Sequence, residues 1–133
     1  MKTAVDTNVL LDVFLPDPKF GKTSREALQK QFKAGALIIG EIVYSELAGF
    51  FESRNRLEET FHALGIQYIP SHPAACYLAG EHWKCYRKSG GLRQRVLADF
   101  LIGAHAEIHA DALLTRDRGF YRKYFRELRI IEP

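Results

Sequence analysis

Four acidic residues of this chain stand where an acid is not expected, and together they could bind a metal ion. Asp6 and Asp117 each follow a short apolar run, the second in LLTRDRGF. Glu46 and Asp99 lie inside apolar helical patterns, in YSELAGF and VLADFLIGAHA. A charged carboxylate that faces a protein core costs several kcal/mol unless it is paired or bound to a metal ion. The pattern therefore favours a common destination for the four acids.

Each acid also has an ordinary structural explanation. Asp6 begins the polar segment DTN, which suits a helix N-cap, and Asp117 could simply turn a loop. Glu46 could pair with a lysine or arginine, and Asp99 could lie near a helix N-terminus, where the helix dipole favours an acid. For a single acid the structural explanation is preferred, but four coincidences favour a shared site.

Elements that would position these acids alternate along the chain. Short apolar runs predict strands at 3–6, 36–39, 66–69, 112–115 and 129–131. Amphipathic spacing and stop signals predict helices at 8–15, 23–34, 42–52, 54–64, 73–88 and 94–109, with a helical turn at 120–125. This alternation indicates an α/β fold, an α/β/α sandwich around a central, mainly parallel sheet of four to five strands. Parallel strands would bring Asp6 and Asp117 to the same sheet edge, where Asn8 and Thr115 could hold them by hydrogen bonds.

Spacing within these helices also predicts which side chains are buried. The expected core residues include Phe32, Phe50, Phe51, Tyr77, Leu78, Trp83 and Tyr86. Ser71 is the expected N-cap of the helix that starts at residue 73. Two cysteines, Cys76 and Cys85, are too far apart in one helix for a disulfide and are expected to be buried thiols.

Size and composition suit one domain over residues 1–133, with 47% hydrophobic and 26% charged residues. No apolar stretch approaches the ~20 residues that span a bilayer, and no signal peptide is evident, so we expect a cytoplasmic protein. Charge is uneven: residues 1–70 carry 8 basic and 9 acidic side chains, and residues 71–133 carry 11 and 7. A basic face around an acidic pocket would suit a polyanion.

Zinc chemistry is disfavoured by the arrangement of the histidines. His105 and His109 have the i, i+4 spacing of metalloproteases, but Ala106 stands where the catalytic Glu would follow the first His. His82 and Cys85 lack two further ligands of a structural zinc site. The start DTN also resembles aspartyl phosphatases of the haloacid dehalogenase type, but the chain is short for that fold and lacks their second acid.

Taken together, four segments make the chain resemble PIN-domain ribonucleases, and among them the VapC-like toxins of type II toxin–antitoxin systems. These segments are VDTNVLLD, SELAG, LADFLIGAHA and LLTRDRGF. The resemblance implies a metal-dependent endoribonuclease that uses one or two Mg²⁺ or Mn²⁺ ions. Its acidic quartet and polar support would be Asp6, Glu46, Asp99 and Asp117, with Asn8 and Thr115. Glu41 and Glu52 remain alternatives to Glu46.

Arginines near these acids are candidates for contacts to RNA phosphates. They are Arg93, Arg95, Arg116 and Arg118, with Lys88 and Arg122 behind them. Each could instead be an ion-pair partner of the acids themselves.

The resemblance also implies partners. These are an RNA substrate, a small VapB-like antitoxin that covers the active groove, and a second copy of the chain in a homodimer. Phe14, Leu15, Phe50 and Phe51 are candidate dimer contacts, although they could equally belong to the core. Two alternatives share the fold: an RNA-processing PIN nuclease without an antitoxin, and a non-catalytic PIN-like module that binds RNA or protein.

Overall fold

A computed structural model describes residues 1–90 and 95–133 of the chain. The described strands are β1 (Lys2–Val5), β2 (Ala36–Ile39), β3 (Ile66–Tyr68), β4 (Ala112–Leu114) and β5 (Arg129–Ile131). The described helices are α1 (Thr7–Phe14), α2 (Gly21–Ala34), α3 (Glu41–Ala48), α4 (Arg54–Leu64), α5 (Pro73–Lys88), α6 (Leu97–His109) and α7 (Arg118–Tyr124). Arg93, one of the predicted phosphate contacts, lies outside the described residues.

The strands form one parallel sheet in the order β3-β2-β1-β4-β5, which confirms the predicted α/β fold. Ala4 of β1 pairs with Ile38 of β2 on one side and with Leu113 of β4 on the other. These central strands are almost entirely buried, as expected for a parallel sheet flanked by helices. At least one helix separates each strand from the next along the chain, because neighbouring parallel strands must be joined by a crossover connection.

Strand order reverses direction beside β1, and this reversal positions the site. The chain builds β2 and β3 on one side of β1, and then returns to build β4 and β5 on the other side. Ligands of such sheets bind at the carboxyl ends of the strands that flank the reversal. Asp6 follows β1 and Asp117 follows β4 at this edge, and the Asp6 N–H donates to the Leu114 carbonyl over 2.9 Å.

Several predicted helix termini are wrong, and among them α6 begins at Leu97 rather than at residue 94. Helix α3 ends at Ala48 rather than near residue 52, because Gly49 follows it, and Phe50 lies exposed in the turn beyond. The N-cap of α5 is His72, whose side chain accepts a hydrogen bond from Ala74 N–H, and not Ser71. The longest described helix, α5, has 16 residues. Among the described helices, none is both long and apolar enough to cross a membrane.

Several predicted core positions are also wrong. Phe32 and Tyr77 are exposed, and so are both cysteines, Cys76 and Cys85. In α5 the small side chains of Ala75 and Ala79 and the ring of Tyr86 form the buried stripe instead. Residues 73–88 are helical, as predicted, but the face with the small side chains of Ala75 and Ala79 is buried, and the larger Tyr77 lies on the exposed face.

The aromatic core beside the candidate site is centred on Phe100. Its ring, fully buried, contacts Tyr86 of α5, Phe120 and Tyr124 of α7, and the ring of Trp83 at centroid distances of 5.1 to 5.7 Å. Such edge-to-face contacts add to the burial of apolar area. This cluster fixes α5, α6 and α7 against one another, and therefore the elements that carry Asp99 and Asp117.

Candidate active site

Asp6 is buried at the start of α1 and is both an N-cap and a member of the site. One carboxylate oxygen accepts the Thr7 N–H over 2.7 Å. The other accepts the Thr115 hydroxyl at 2.7 Å and the Asn8 amide at 3.3 Å. The hydroxyl of Tyr121 also acts on Asp6 and lowers its pKa. The two predicted supporting residues, Asn8 and Thr115, therefore both contact Asp6.

Burial raises the pKa of Asp6 from 3.8 to about 6, although hydrogen bonds from Thr115, Thr7 and Tyr121 act in the opposite direction. The negative charge of Glu46 raises the pKa further. All of these hydrogen-bond donors are neutral, and within the described residues no ion pair to Asp6 offsets its burial. A buried carboxylate in these surroundings favours the approach of a cation.

Tyr121 is a site residue that the sequence interpretation missed. Its ring is buried against Phe120 and Phe125, and its hydroxyl reaches Asp6. Burial, followed by the charges of Asp6 and Asp99, raises the pKa of Tyr121, so this hydroxyl stays protonated and donates. The available signal was weak: Tyr121 comes one helical turn after Asp117, in a segment that reads as an ordinary amphipathic turn.

Glu46 is exposed on α3, so the expectation that it faces the core is wrong. Val43 and Leu47 form the buried face, and Glu46 lies beside that face at the rim of the site. The structure nevertheless brings Glu46 to the segment after β1, where its carboxylate accepts the Thr7 hydroxyl over 2.6 Å.

Glu41 and Glu52, the two alternatives to Glu46, lie in different surroundings. Glu41 accepts both the N–H and the hydroxyl of Ser71, at 3.1 and 2.8 Å. Burial raises the pKa of Glu41, but the hydrogen bonds from Ser71, a backbone hydrogen bond and the charge of His105 together lower it overall. Glu52 is exposed after α3. The geometry therefore favours Glu46 as the acid nearest Asp6.

Asp99 is the third residue of α6 and is half-buried, rather than facing the core as expected. One carboxylate oxygen accepts the Val96 N–H over 3.0 Å, so Asp99 satisfies a free donor at the helix start. Its structural explanation placed it near a helix N-terminus, and it lies in the first turn of α6. Its charge helps to raise the pKa of Tyr121, as do the charges of Asp6 and Asp117. The charges of three of the four acids thus act on Tyr121.

Asp117 follows β4 and meets a cation within the chain. Its two oxygens accept parallel hydrogen bonds from the Arg95 guanidinium, at 2.6 and 3.2 Å. The Asp117 N–H donates to the Thr115 hydroxyl oxygen over 2.9 Å. Because Thr115 also donates to Asp6, this one hydroxyl joins the segments after β1 and β4.

Comparison with known families identifies this arrangement. The model of the PIN domain family matches residues 3–126. The chain belongs to the PIN domain family. Among curated proteins, no sequence matches it.

Solved structures share the fold of this PIN domain over nearly its whole length. A chain of VapBC2 from Rickettsia felis, bound to a DNA fragment from their promoter, superposes with a TM-score of 0.76 at 17% identity, covering 100% of this chain and 99% of that one. A chain of VapBC-1 from nontypeable Haemophilus influenzae gives 0.72 at 18% identity, covering 99% and 98%. A chain of DNA-bound VapBC from Salmonella typhimurium gives 0.71 at 17% identity, covering 99% and 98%.

The predicted phosphate contacts of the PIN domain are mostly engaged in ion pairs. Arg116 forms two hydrogen bonds to buried Asp12, at 2.8 and 2.9 Å, and its guanidinium lies over a phenyl ring 4.2 Å from the centroid. Arg118 pairs with Glu132 at 2.5 Å, and Arg122 approaches the same carboxylate at 3.9 Å. The alternative explanation, that these arginines pair with the four acids themselves, describes Arg95 with Asp117. Arg116 and Arg118 pair instead with acids outside the quartet.

Two histidines of the PIN domain, His105 and His109, form hydrogen bonds with the backbone. His105 is buried with its Nε2 2.7 Å from the Ile69 carbonyl oxygen, and burial lowers its pKa. His109 accepts the His72 N–H over 2.9 Å. These contacts join the end of α6 to the start of α5, so the two helices are antiparallel and the C-terminal end of α5 lies toward Asp99.

The acids of the PIN domain converge without forming a finished ligand set. In residues 1–90 and 95–133, no three His, Cys, Asp or Glu side chains are grouped as metal ligands. Two of the acids are engaged elsewhere: Asp117 accepts from Arg95, and Asp99 accepts from the N–H of Val96. The atoms that the four acids offer to a metal at this edge are nonetheless all carboxylate oxygens, the ligand atoms that Mg²⁺ and Mn²⁺ prefer.

Proposed function

We propose that this PIN domain is a metal-dependent endoribonuclease that hydrolyses RNA phosphodiester bonds. One observation carries the proposal: Asp6 is buried beside further carboxylates at the strand reversal, and its hydrogen-bond donors are all neutral. Natural proteins rarely bury a carboxylate in this way unless a cation or a proton completes the site.

The residues present fit a divalent cation. Asp6, Glu46, Asp99 and Asp117 would hold Mg²⁺ or Mn²⁺, as one ion or two. Because Asp6 is the most buried of the four, a bound cation would stabilise its negative charge the most. When bound, such an ion polarises a phosphoryl oxygen and lowers the pKa of water. The hard oxygen donors argue against a softer metal.

The chain's own residues supply order at this site. Thr115 donates its hydroxyl to Asp6, and the raised pKa of Tyr121 keeps its hydroxyl protonated, so we assign the role of nucleophile to water. Thr7 orients Asp6 through its N–H and Glu46 through its hydroxyl. The acids alone would repel the RNA backbone, so binding also needs positive charge, which Arg95 and Arg118 place beside Asp117.

Similarity in fold to VapBC structures supports a more specific role as the toxin of a toxin–antitoxin pair in the cytoplasm. The partner would be a small VapB-like antitoxin that covers the acidic edge. We also propose a homodimer, because Leu15 and Phe50 are each more than half exposed beside the Phe14–Phe51 ring contact. Burying such side chains is favourable by about 25 cal/mol per Å² of apolar area.

The test is cleavage of a structured RNA by the purified protein, with DNA of the same sequence as a control. We expect internal cleavage of RNA with Mg²⁺ or Mn²⁺, no cleavage with EDTA, and none by Asp99→Asn. RNA binding without cleavage under every metal condition would instead indicate a non-catalytic PIN-like module. If expression of this protein stops cell growth and co-expression of a small reading frame beside its gene restores growth, the protein is a toxin rather than an RNA-processing nuclease.

A further inference from the structure

Arg95 and Asp117 form a two-pronged ion pair at the centre of the acidic edge. The guanidinium donates to both carboxylate oxygens, at 2.6 and 3.2 Å. The side chains are 32% and 35% exposed, so the pair is only partly open to water. In this arrangement both oxygens that Asp117 would offer to a metal already serve a cation of the chain itself.

Arg95 is also held from its other side. Its guanidinium carbon lies 4.4 Å from the centroid of the Phe120 ring, in cation–π geometry. That ring packs against Phe100 at 5.1 Å and against Tyr121 at 4.9 Å. The guanidinium is therefore placed by a rigid aromatic cluster, and ordering it costs less entropy than for an exposed arginine.

A second acid of the quartet acts on the same guanidinium. The hydrogen bond to Asp117, then the charge of Asp117, and then that of Asp99 raise the pKa of Arg95. Asp99 meanwhile turns one oxygen to the N–H of Val96, the residue after Arg95. Arg95 and Val96 thus engage both acids that come from the later half of the chain.

We infer that Arg95 is a resident counter-ion of the acidic site, which occupies Asp117 in the metal-free protein and must leave this carboxylate when a divalent cation binds. The inference rests on the proposed function only in assuming that a metal binds at this edge. It accounts for convergent carboxylates that are not grouped as ligands. Arg95 stabilises the metal-free site and lowers its affinity for the metal by the same interaction, because the two cations compete for one carboxylate.

Direct binding of Mn²⁺, without RNA and without turnover, tests the inference. Free Mn²⁺ is measured by electron paramagnetic resonance during titration of the wild-type protein, Arg95→Gln and Arg118→Gln. Arg118→Gln is the matched control, since it removes the same charge next to Asp117 but breaks a pair with Glu132. We expect Arg95→Gln to lower the Kd for Mn²⁺ by roughly 1.5- to fivefold, the range expected for a partly exposed ion pair, and Arg118→Gln to change it by less.

Thermal unfolding gives a second reading on the same proteins. In EDTA, Arg95→Gln should melt below the wild type, because the acids lose their counter-ion. With saturating Mn²⁺, the rise in melting temperature should be larger for Arg95→Gln than for the wild type.

Three results would overturn the inference, and they differ from one another. Equal or weaker Mn²⁺ binding by Arg95→Gln would show that Arg95 does not compete with the metal. An equal gain in Arg118→Gln would show that only the general charge matters. If neither the wild type nor Arg95→Gln binds Mn²⁺, the metal requirement of the proposed function fails as well.

Discussion

Thr7 donates its hydroxyl to the carboxylate of Glu46 over 2.6 Å, and this bond joins the start of α1 to α3. The backbone N–H of the same residue donates to Asp6 over 2.7 Å. One residue at a helix start thus orients two acids from segments forty residues apart in the sequence. The relationship makes Glu46, rather than its neighbours in the sequence, a partner of Asp6.

Glu46→Gln should therefore reduce metal-dependent RNA cleavage by about 100-fold or more, which is the usual scale for loss of one electrostatic group in an active site. The matched variant is Glu41→Gln, which removes an acid that holds Ser71 instead. We expect Glu41→Gln to keep its cleavage rate and to lose about 1 kcal/mol of unfolding free energy. Initial rates and urea unfolding of both variants measure this. The opposite ranking of rates would assign the role to Glu41.

Asp6→Asn should stabilise the metal-free protein at neutral pH while abolishing cleavage. The pKa of Asp6 is raised from 3.8 to about 6 in the folded state. The folded state therefore binds the Asp6 proton more tightly than the unfolded state does. The stability that this tighter binding provides is lost as the pH rises from about 4 to about 6. Above that range the penalty is about 3 kcal/mol at most.

Melting in EDTA across pH 4 to 8 measures this penalty. Asn carries no charge, so Asp6→Asn should melt above the wild type at pH 7.5, and the difference should narrow toward pH 4. If the difference in melting temperature between Asp6→Asn and the wild type stays constant from pH 4 to 8, Asp6 does not titrate as described. A large loss of stability at every pH would show that the hydrogen bonds of Asp6 outweigh its burial.

Tyr121→Phe removes a neutral donor from Asp6 and keeps the ring that packs against Phe120 and Phe125. We expect the pKa of Asp6 to rise further, so the acidic limb of the rate against pH should move to higher pH. The loss in unfolding free energy should be about 1 kcal/mol. Tyr124→Phe, in the same helix, is the control. An identical pH profile in Tyr121→Phe and the wild type would remove Tyr121 from the site.

Arg116→Gln should act on folding more than on RNA binding. Asp12 is only 3% exposed and receives two hydrogen bonds from Arg116 and one from Ser24. Removing the arginine leaves a buried carboxylate without its cation, and we expect a loss of about 2–3 kcal/mol. Urea unfolding measures it, with Arg118→Gln expected to lose under about 1 kcal/mol. Unchanged stability but weaker RNA binding by Arg116→Gln would make Arg116 a phosphate contact.

Sequence alone predicted the strands well, because strands buried on both faces are continuous apolar runs with clear stops. The runs at 36–39 and 129–131 coincide with β2 and β5. The convergence of Asp6 and Asp117 was also predictable, because the carboxyl ends of parallel strands lie at one edge of the sheet.

The direction in which helical side chains point was less predictable. Glu46 and Tyr77 were both assigned to buried faces, yet both are exposed. In α3 and α5 apolar residues occur on more than one face, so periodicity does not choose the buried one. The long-range pairs Arg95–Asp117 and Arg116–Asp12 left no local signal, because sequence spacing shows only neighbours within an element.

Cleavage of RNA as a function of Mn²⁺ concentration tests the central claim most directly, namely that four carboxylates at the strand reversal act as one metal-dependent site. The wild type is compared with single amide variants of the four acids and with Glu41→Gln and Glu107→Gln as charge-matched controls. We predict saturable cleavage by the wild type and both controls, and loss of cleavage in Asp6→Asn, Glu46→Gln, Asp99→Asn and Asp117→Asn with folding retained. Cleavage that continues in EDTA, or in folded Asp6→Asn at the wild-type rate, would contradict the claim.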